Sequence, residues 1–258
     1  MASFAYDVPT IGTLTRLISS PRLKPYLLEA NGDAAAALDL YVWNIRAGAA
    51  FYGPLSIIEI VFRNACHEQL SALFTPSWHS NPDFIQVATD AAGATPRNAP
   101  AGGAQYRPTQ LLTEIVSTTE RIERELAKKA GANPMAGLRT TATTDDVVAA
   151  LDFGFWTQLF NTDLEPVLYS RGLYRAFPNW SPGRNAPRRP IAGRFNSIRL
   201  FRNRIMHFEP LLKRNLVQDM NNITEACDWI DPSAAAWVEY HSALKEVLRD
   251  RNGPRHSF

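Results

Sequence analysis

Apolar residues recur at helical spacing along most of this chain. After Asp33, a candidate N-cap, Leu38, Tyr41, Val42, Ile45 and Ala49 follow one face of a 3.6-residue repeat and predict a helix. Gly53 and Pro54 punctuate it, and proline is well tolerated in a first helical turn. A second helix is therefore predicted over 54–74, with Leu55, Ile58, Phe62, Cys66, Leu70 and Leu73 on one stripe. Pro108 opens another, whose inner positions are Leu111, Ile115, Ile122 and Leu126 and whose wet side is Glu120, Arg121, Glu123, Arg124 and Glu125; Gly131 is its predicted stop. Thr144, Asp145 and Asp146 predict the start of a helix running through Trp156 to about Phe160. Two more are predicted over 211–229 and 232–249, the latter with Asp231 as cap and Pro232 as first residue. No run alternates with the period of a strand, so the predicted fold is all-α.

Two stretches interrupt this periodicity, 93–108 (rich in Gly, Ala and Pro) and 178–193 (similar breakers plus arginines). Neither separates regions of different composition, and no repeat of fixed period is present. One domain over residues 1–258 is expected.

Composition narrows the function classes. With 258 residues, 45% of them hydrophobic and 20% charged, the chain can bury a large core. Its start, MASFAYDVPTIG, lacks the basic and apolar regions of a secretory signal, and no stretch reaches the uninterrupted apolar length of a membrane span; a cytoplasmic location without membrane contact is expected. Cys66 and Cys227 are too few for a disulfide framework and lack zinc-ligand spacing, so both are expected to be buried thiols. There is no Walker A loop, dinucleotide glycine fingerprint or G-x-S-x-G elbow. His67-Glu68 begins a zincin-like string, but residue 71 is serine. Asp145, Asp146 and Asp152 are better explained by helix starts than by a two-metal site, and no metal or cofactor is expected.

Charge changes the picture more than composition does. The formal net charge is +2, yet residues 166–208 contain no acid and nine arginines: Arg171, Arg175, Arg184, Arg188, Arg189, Arg194, Arg199, Arg202 and Arg204. Setting those nine aside leaves 18 basic against 25 acidic residues, net −7. An arginine-only region with Tyr174, Phe177 and Trp180 among the cations suits phosphate contacts and base stacking. Arg184, Arg188, Arg189, Arg194, Arg199 and Arg204 are the expected nucleic-acid contacts; the bland alternative is a solvated surface whose arginines pair with acids elsewhere.

Two RN pairs fall in apolar surroundings. In IEIVFRNACHEQL, Glu59, Arg63 and His67 lie one turn apart on a helix face, with Asn64 beside them. The carboxylate of Glu59 at the edge of an apolar stripe calls for a partner, and Arg63 at i+4 is the obvious one. In FRNRIMHFEP, Arg199, Asn203 and His207 form a stripe on a straight helix, whereas Arg202 and His207 are about 140° apart. These two cooperate only if the helix is distorted or a second chain contributes. Pro210 biases Glu209 out of the helical region and predicts a break just after the histidine.

Three segments, in order, carry a resemblance: YVWNIRAGAAFYGPLSIIEIVFRNA, DDVVAALDFGFWTQLF and RLFRNRIMHFEPL. Over roughly 14–250 the chain resembles the Abi-like proteins of bacterial abortive infection, a branch of the HEPN superfamily. The resemblance implies a HEPN-like helical bundle with additional helices, usually dimeric, and a metal-independent RNase. It assigns Arg202, Asn203 and His207 to the catalytic motif R-N-x3-H, brought together with its copy from a second protomer; Glu59, Arg63, Asn64 and His67 stand as a supporting or second motif. Some HEPN toxins carry a modifiable tyrosine two residues after the histidine, and here that position is Glu209, which offers no phenol for such a modification. The trigger, and any antitoxin or inhibitor, are not legible.

RNA cleavage without metal uses the ribose 2′-OH as nucleophile and needs a base, an acid and positive charge for the phosphorane. Histidine serves either proton role, and neighbouring arginines favour its neutral form. Arg202 cannot release its proton and so stabilises charge, while Asn203 orients the imidazole or a phosphate. One His207 fills one proton role; a two-fold pair fills both. The expected function is a metal-independent endoribonuclease cutting single-stranded RNA as a toxin or anti-phage effector. The alternatives are a non-catalytic RNA-binding or sensor module and a structural dimerisation protein.

Overall fold

The computed structural model describes residues 6–93, 110–134, 137–180 and 187–252. Most of the stretch 93–108, Pro108, and the part of 178–193 that carries Arg184 lie outside the described residues, as does His256. Among the described residues there is no strand, and eleven α-helices follow in order: α1 (Val8–Ile18), α2 (Ser20–Glu29), α3 (Ala34–Leu73), α4 (Pro82–Gly93), α5 (Gln110–Ala132), α6 (Thr144–Ala150), α7 (Phe153–Gln158), α8 (Arg188–Met206), α9 (Leu216–Ile230), α10 (Pro232–Tyr240) and α11 (Leu244–Asn252). Between α7 and α8 the chain turns through short 3₁₀ and π segments over 162–176. The protein is all-helical there, as periodicity predicts.

Two compact units divide the chain. One is Met1–Ile58 with Leu200–Glu225 and Ser233–Phe258; the other is Glu59–Arg199 with Ala226–Pro232. The chain passes between them inside α3, α8 and α9 and at the start of α10.

Several boundaries differ from the sequence reading. Residues 34–73 form one uninterrupted helix, so Pro54 lies in its interior and does not open a second one. An interior proline removes a backbone hydrogen bond at a cost of about 3 kcal/mol. That cost is offset by burial on both sides of it: Phe51, Ile58, Phe62, Cys66 and Leu70 are fully buried and Leu55 nearly so. Residues 144–160 break into α6 and α7 because Asp152 caps a fresh helix, its Oδ1 accepting the Phe155 N–H at 2.9 Å. Upstream, Thr143 and Asp146 cap α6 reciprocally. The last predicted helix likewise breaks, into α10 and α11, around residues 241–243.

Among the described residues α3 is long and apolar enough, by length and composition, to cross a membrane, as the core helix of a soluble protein also can be. Its buried residues make it a core helix within each unit. In the first unit Phe51 meets Phe201 edge-on at 4.7 Å and Trp43 Nε1 donates to the Val247 carbonyl at 3.0 Å, docking α11. In the second, Phe62 is ringed by Phe153, Phe160, Phe177 and Phe195, the last stacked at 3.9 Å. Each such aromatic contributes roughly 1.5–3 kcal/mol by leaving water. Both cysteines are buried and free, and burial pushes the Cys227 thiol up to about 12.

Candidate active site

The segment 201–211 is held by its ends. Phe201 is buried against Phe51, which fixes the inner face of the last turns of α8. At the far end the helix closes with two linked bonds: the Phe208 N–H reaches the Ile205 carbonyl and the Glu209 N–H reaches the Arg204 carbonyl, each at 2.9 Å. This six-to-one and five-to-two pair is a Schellman cap, which needs a left-handed residue just past the helix. Phe208 supplies it at φ 55°, a conformation that glycine adopts freely and phenylalanine does not. Pro210 follows, so the break predicted from it occurs where expected.

Asn44, from α3, then clamps the departing chain. Its buried Oδ1 accepts the Leu211 N–H at 2.6 Å and its Nδ2 donates to the Glu209 carbonyl at 3.5 Å. Arg204 adds an ion pair to Glu209 at 3.1 Å and a bond to the Pro210 carbonyl at 3.4 Å. Arg214 lies over the Phe201 ring at 5.0 Å and its Nε donates to the buried carboxylate of Asp219 at 2.8 Å, a bond that raises the guanidinium pKa. The consequence is a rigid support beneath an exposed histidine.

His207 occupies the cap position itself and is exposed, with Asn203 and Arg202 half-buried on the preceding turns. The side chains of Asn203 and His207 make no hydrogen bonds among the described residues. Because α8 runs without interruption through Met206, the distortion that would swing Arg202 toward His207 is absent; about 140° separates them around the axis. Beside His207 is an apolar pocket of about 340 Å³ whose walls include Tyr41, Asn44, Tyr52, Met206 and Phe208. Asn44, Tyr52 and Phe208 were not singled out from sequence. A lone amide within an apolar helical stripe was the signal available for Asn44.

The earlier RN motif sits on α3 in the other unit and has a different character. Trp78 Nε1 donates to His67 Nδ1 at 2.9 Å. Indole nitrogen only donates, so Nδ1 carries no proton and the neutral ring is the one that fits. Burial also lowers the His67 pKa below 6.5, partly countered by Asp145. Arg63 donates to Asn64 Oδ1 and to the Ala149 carbonyl, not to Glu59 as the i+4 spacing suggested. These contacts tie α3 to Trp78 and to the Ala149 carbonyl within the second unit. Nearby, His79 lies 3.3 Å from Thr144 Oγ1, and burial followed by the charge of His67 lowers its pKa.

The arginine-rich region divides by role. Arg188 is spent on the fold: Nε pairs with Glu165 at 3.0 Å, Nη1 with the Phe160 carbonyl and Nη2 with Thr162 at 3.1 Å, and its side chain is 11% exposed. This corrects its expected role as a phosphate contact, since a carboxylate just outside the acid-free stretch already holds it. Arg194 stacks over Trp229 at 4.9 Å. Arg189 is exposed, and Arg199 is oriented by Asn196, whose Oδ1 accepts from Nη2 at 2.8 Å and from Nε at 3.3 Å. Arg204 braces the helix cap, and Arg184 lies outside the described residues.

No family model, curated protein or solved structure matches the chain, so the resemblance drawn above rests on the three quoted segments.

Proposed function

We propose that this chain is an Abi-like, HEPN-type endoribonuclease that cuts single-stranded RNA without a metal ion, as a toxin or abortive-infection effector. The observation that carries the reading is the exposed His207 imidazole, set at a braced helix terminus with Arg202 and Asn203 on the two turns before it. The ribose 2′-oxygen attacks the adjacent phosphorus as its proton passes to an imidazole; the bond to the 5′-oxygen breaks, and that oxygen takes a proton from an acid. The products are a 2′,3′-cyclic phosphate and a 5′-hydroxyl. Arg202, which keeps its proton, stabilises the phosphorane charge.

A regular α8 favours a site composed from two copies, because one helix cannot turn residues 202 and 207 to the same side. Two His207 residues then divide the base and acid roles, and a homodimer is the working form. The test is cleavage of a single-stranded RNA in EDTA, with end-group analysis. Cyclic phosphate termini, and no cutting of DNA or 2′-O-methyl RNA, are expected; a strict magnesium requirement refutes the mechanism.

A further inference from the structure

A second concavity lies wholly within the unit that contains Glu59–Arg199 and is lined by no residue assigned to cleavage. It encloses about 370 Å³ between α5, the start and end of α7, and α8. Its walls are polar, unlike the apolar pocket beside His207. The volume falls in the range of small-ligand sites, and few convergent polar groups are what such sites use for specificity.

Its hydrogen bonding is ordered in advance. On one wall Glu114 Oε1 accepts from Gln110 Nε2 at 2.9 Å and from Gln158 Nε2 at 3.0 Å. Each glutamine nitrogen commits one N–H to that oxygen, which turns both amides toward the carboxylate; Glu114 Oε2 and the two glutamine oxygens remain as acceptors, with one further N–H on each amide. On the other wall Asn196 holds the Nε and Nη2 edge of Arg199, leaving Nη1 and one Nη2 hydrogen as donors. Asp152, which also lines the cavity, gives one oxygen to the α7 cap and keeps the other. The site thus sets a carboxylate and amide oxygens against a guanidinium.

Among the bases, guanine matches this division. Its N1–H and N2–H₂ are adjacent donors for a carboxylate and amide oxygens, and its O6 and N7 are adjacent acceptors for arginine, the commonest specific arginine contact. Adenine would turn the unprotonated N1 toward Glu114, and cytosine offers one amine alone. We infer that this cavity reads an unpaired guanine of single-stranded RNA, with Glu114, Gln158 and Arg199 as the reading residues. The inference rests on the RNA reading above and adds sequence preference to it.

Binding to the His207→Ala full chain tests it without cleavage, using fluorescently labelled A10 RNA, the same RNA with one central G, and the same with inosine, which lacks the N2 amine. The single-G oligonucleotide is expected to bind at least tenfold tighter than A10, and the inosine version in between. Glu114→Gln and, separately, Gln158→Leu should bring the single-G affinity down to the A10 level while leaving A10 binding unchanged; thermal melting verifies that each variant folds. Equal affinity for A10 and single-G RNA overturns the inference, as does a G preference that survives both substitutions. Preference for free GMP without preference for G in RNA overturns it too, by making the cavity a nucleotide site. None of these outcomes depends on whether the parent cuts RNA in EDTA, so the two readings fail separately.

Discussion

Asn44 and Leu211 are joined by a buried 2.6 Å hydrogen bond between a helix-borne carboxamide and a loop N–H 167 residues away. Through it the long core helix dictates where the chain goes after His207. A buried backbone N–H left without an acceptor costs about 1–3 kcal/mol. Asn44→Leu is therefore expected to destabilise the protein by that amount in urea melts, and to lower RNA cleavage further than its stability loss explains. Asn44→Asp, which keeps the acceptor but loses the amide donor and buries charge, is also expected to be destabilised; unchanged melts for both variants would remove the clamp.

Phe208 tests the cap beneath the same histidine. It holds φ 55° while its side chain is 68% exposed, so little apolar burial compensates the strain. Phe208→Gly is expected to raise stability by about 1 kcal/mol by relieving a left-handed conformation that costs roughly that much. A lower midpoint in the same urea titration would mean that the ring contributes more than its backbone costs.

For the chemistry, His207→Ala is expected to slow RNA cleavage by roughly 10² to 10⁴ and Arg202→Ala by about 10² or more, with RNA affinity largely retained. Single-turnover rates with excess enzyme measure both. Parental rates in the His207 variant would show that the imidazole does not take part.

His67 and His79 give a pH signature that is independent of catalysis. Burial lowers both pKa values below 6.5, so the unfolded chain binds protons that the folded one refuses. Stability is then complete above the unfolded value and falls as pH drops from about 6.5 through the folded values. Urea midpoints at pH 7.5 and pH 5.0 measure the loss, and His67→Gln should reduce it. The Asp146 carboxyl, held well below its usual range by the Arg139 hydrogen bond, acts in a separate window at lower pH.

Arg188 and Arg189 are adjacent and should behave oppositely. Arg188→Ala strands the buried Phe160 carbonyl, while Glu165 is exposed enough to be solvated, and is expected to cost about 1–3 kcal/mol of stability. Arg189→Ala, at an exposed position, should leave melting unchanged and reduce the salt dependence of RNA binding by about one counterion. Equal effects on binding would remove the distinction.

Helical periodicity alone determined that the described residues are all-helical and located the inner stripe of the second half of α3, Leu55, Ile58, Phe62, Cys66 and Leu70, because one residue in about every 3.6 must face the core whatever it packs against. In the first half the predicted stripe is corrected: Ile45 and Ala49 are exposed, and Trp43, Ala47, Ala50 and Phe51 are the buried positions. The sequence also placed the break after His207, since Pro210 acts locally on the residue before it. Whether Pro54 ends a helix was not a local matter: burial of Phe51, Ile58 and Phe62 on either side outweighs the lost hydrogen bond. The similar-looking RN motifs were separated only by tertiary structure, which puts Trp78 on the ring of His67 and leaves His207 exposed. Likewise no spacing rule ties Glu165 to Arg188, Asn44 to Leu211 or Glu114 to Gln158. Residue types and local propensities are written along the chain, but hydrogen bonds between positions 23 to 167 residues apart exist only once the helices have packed.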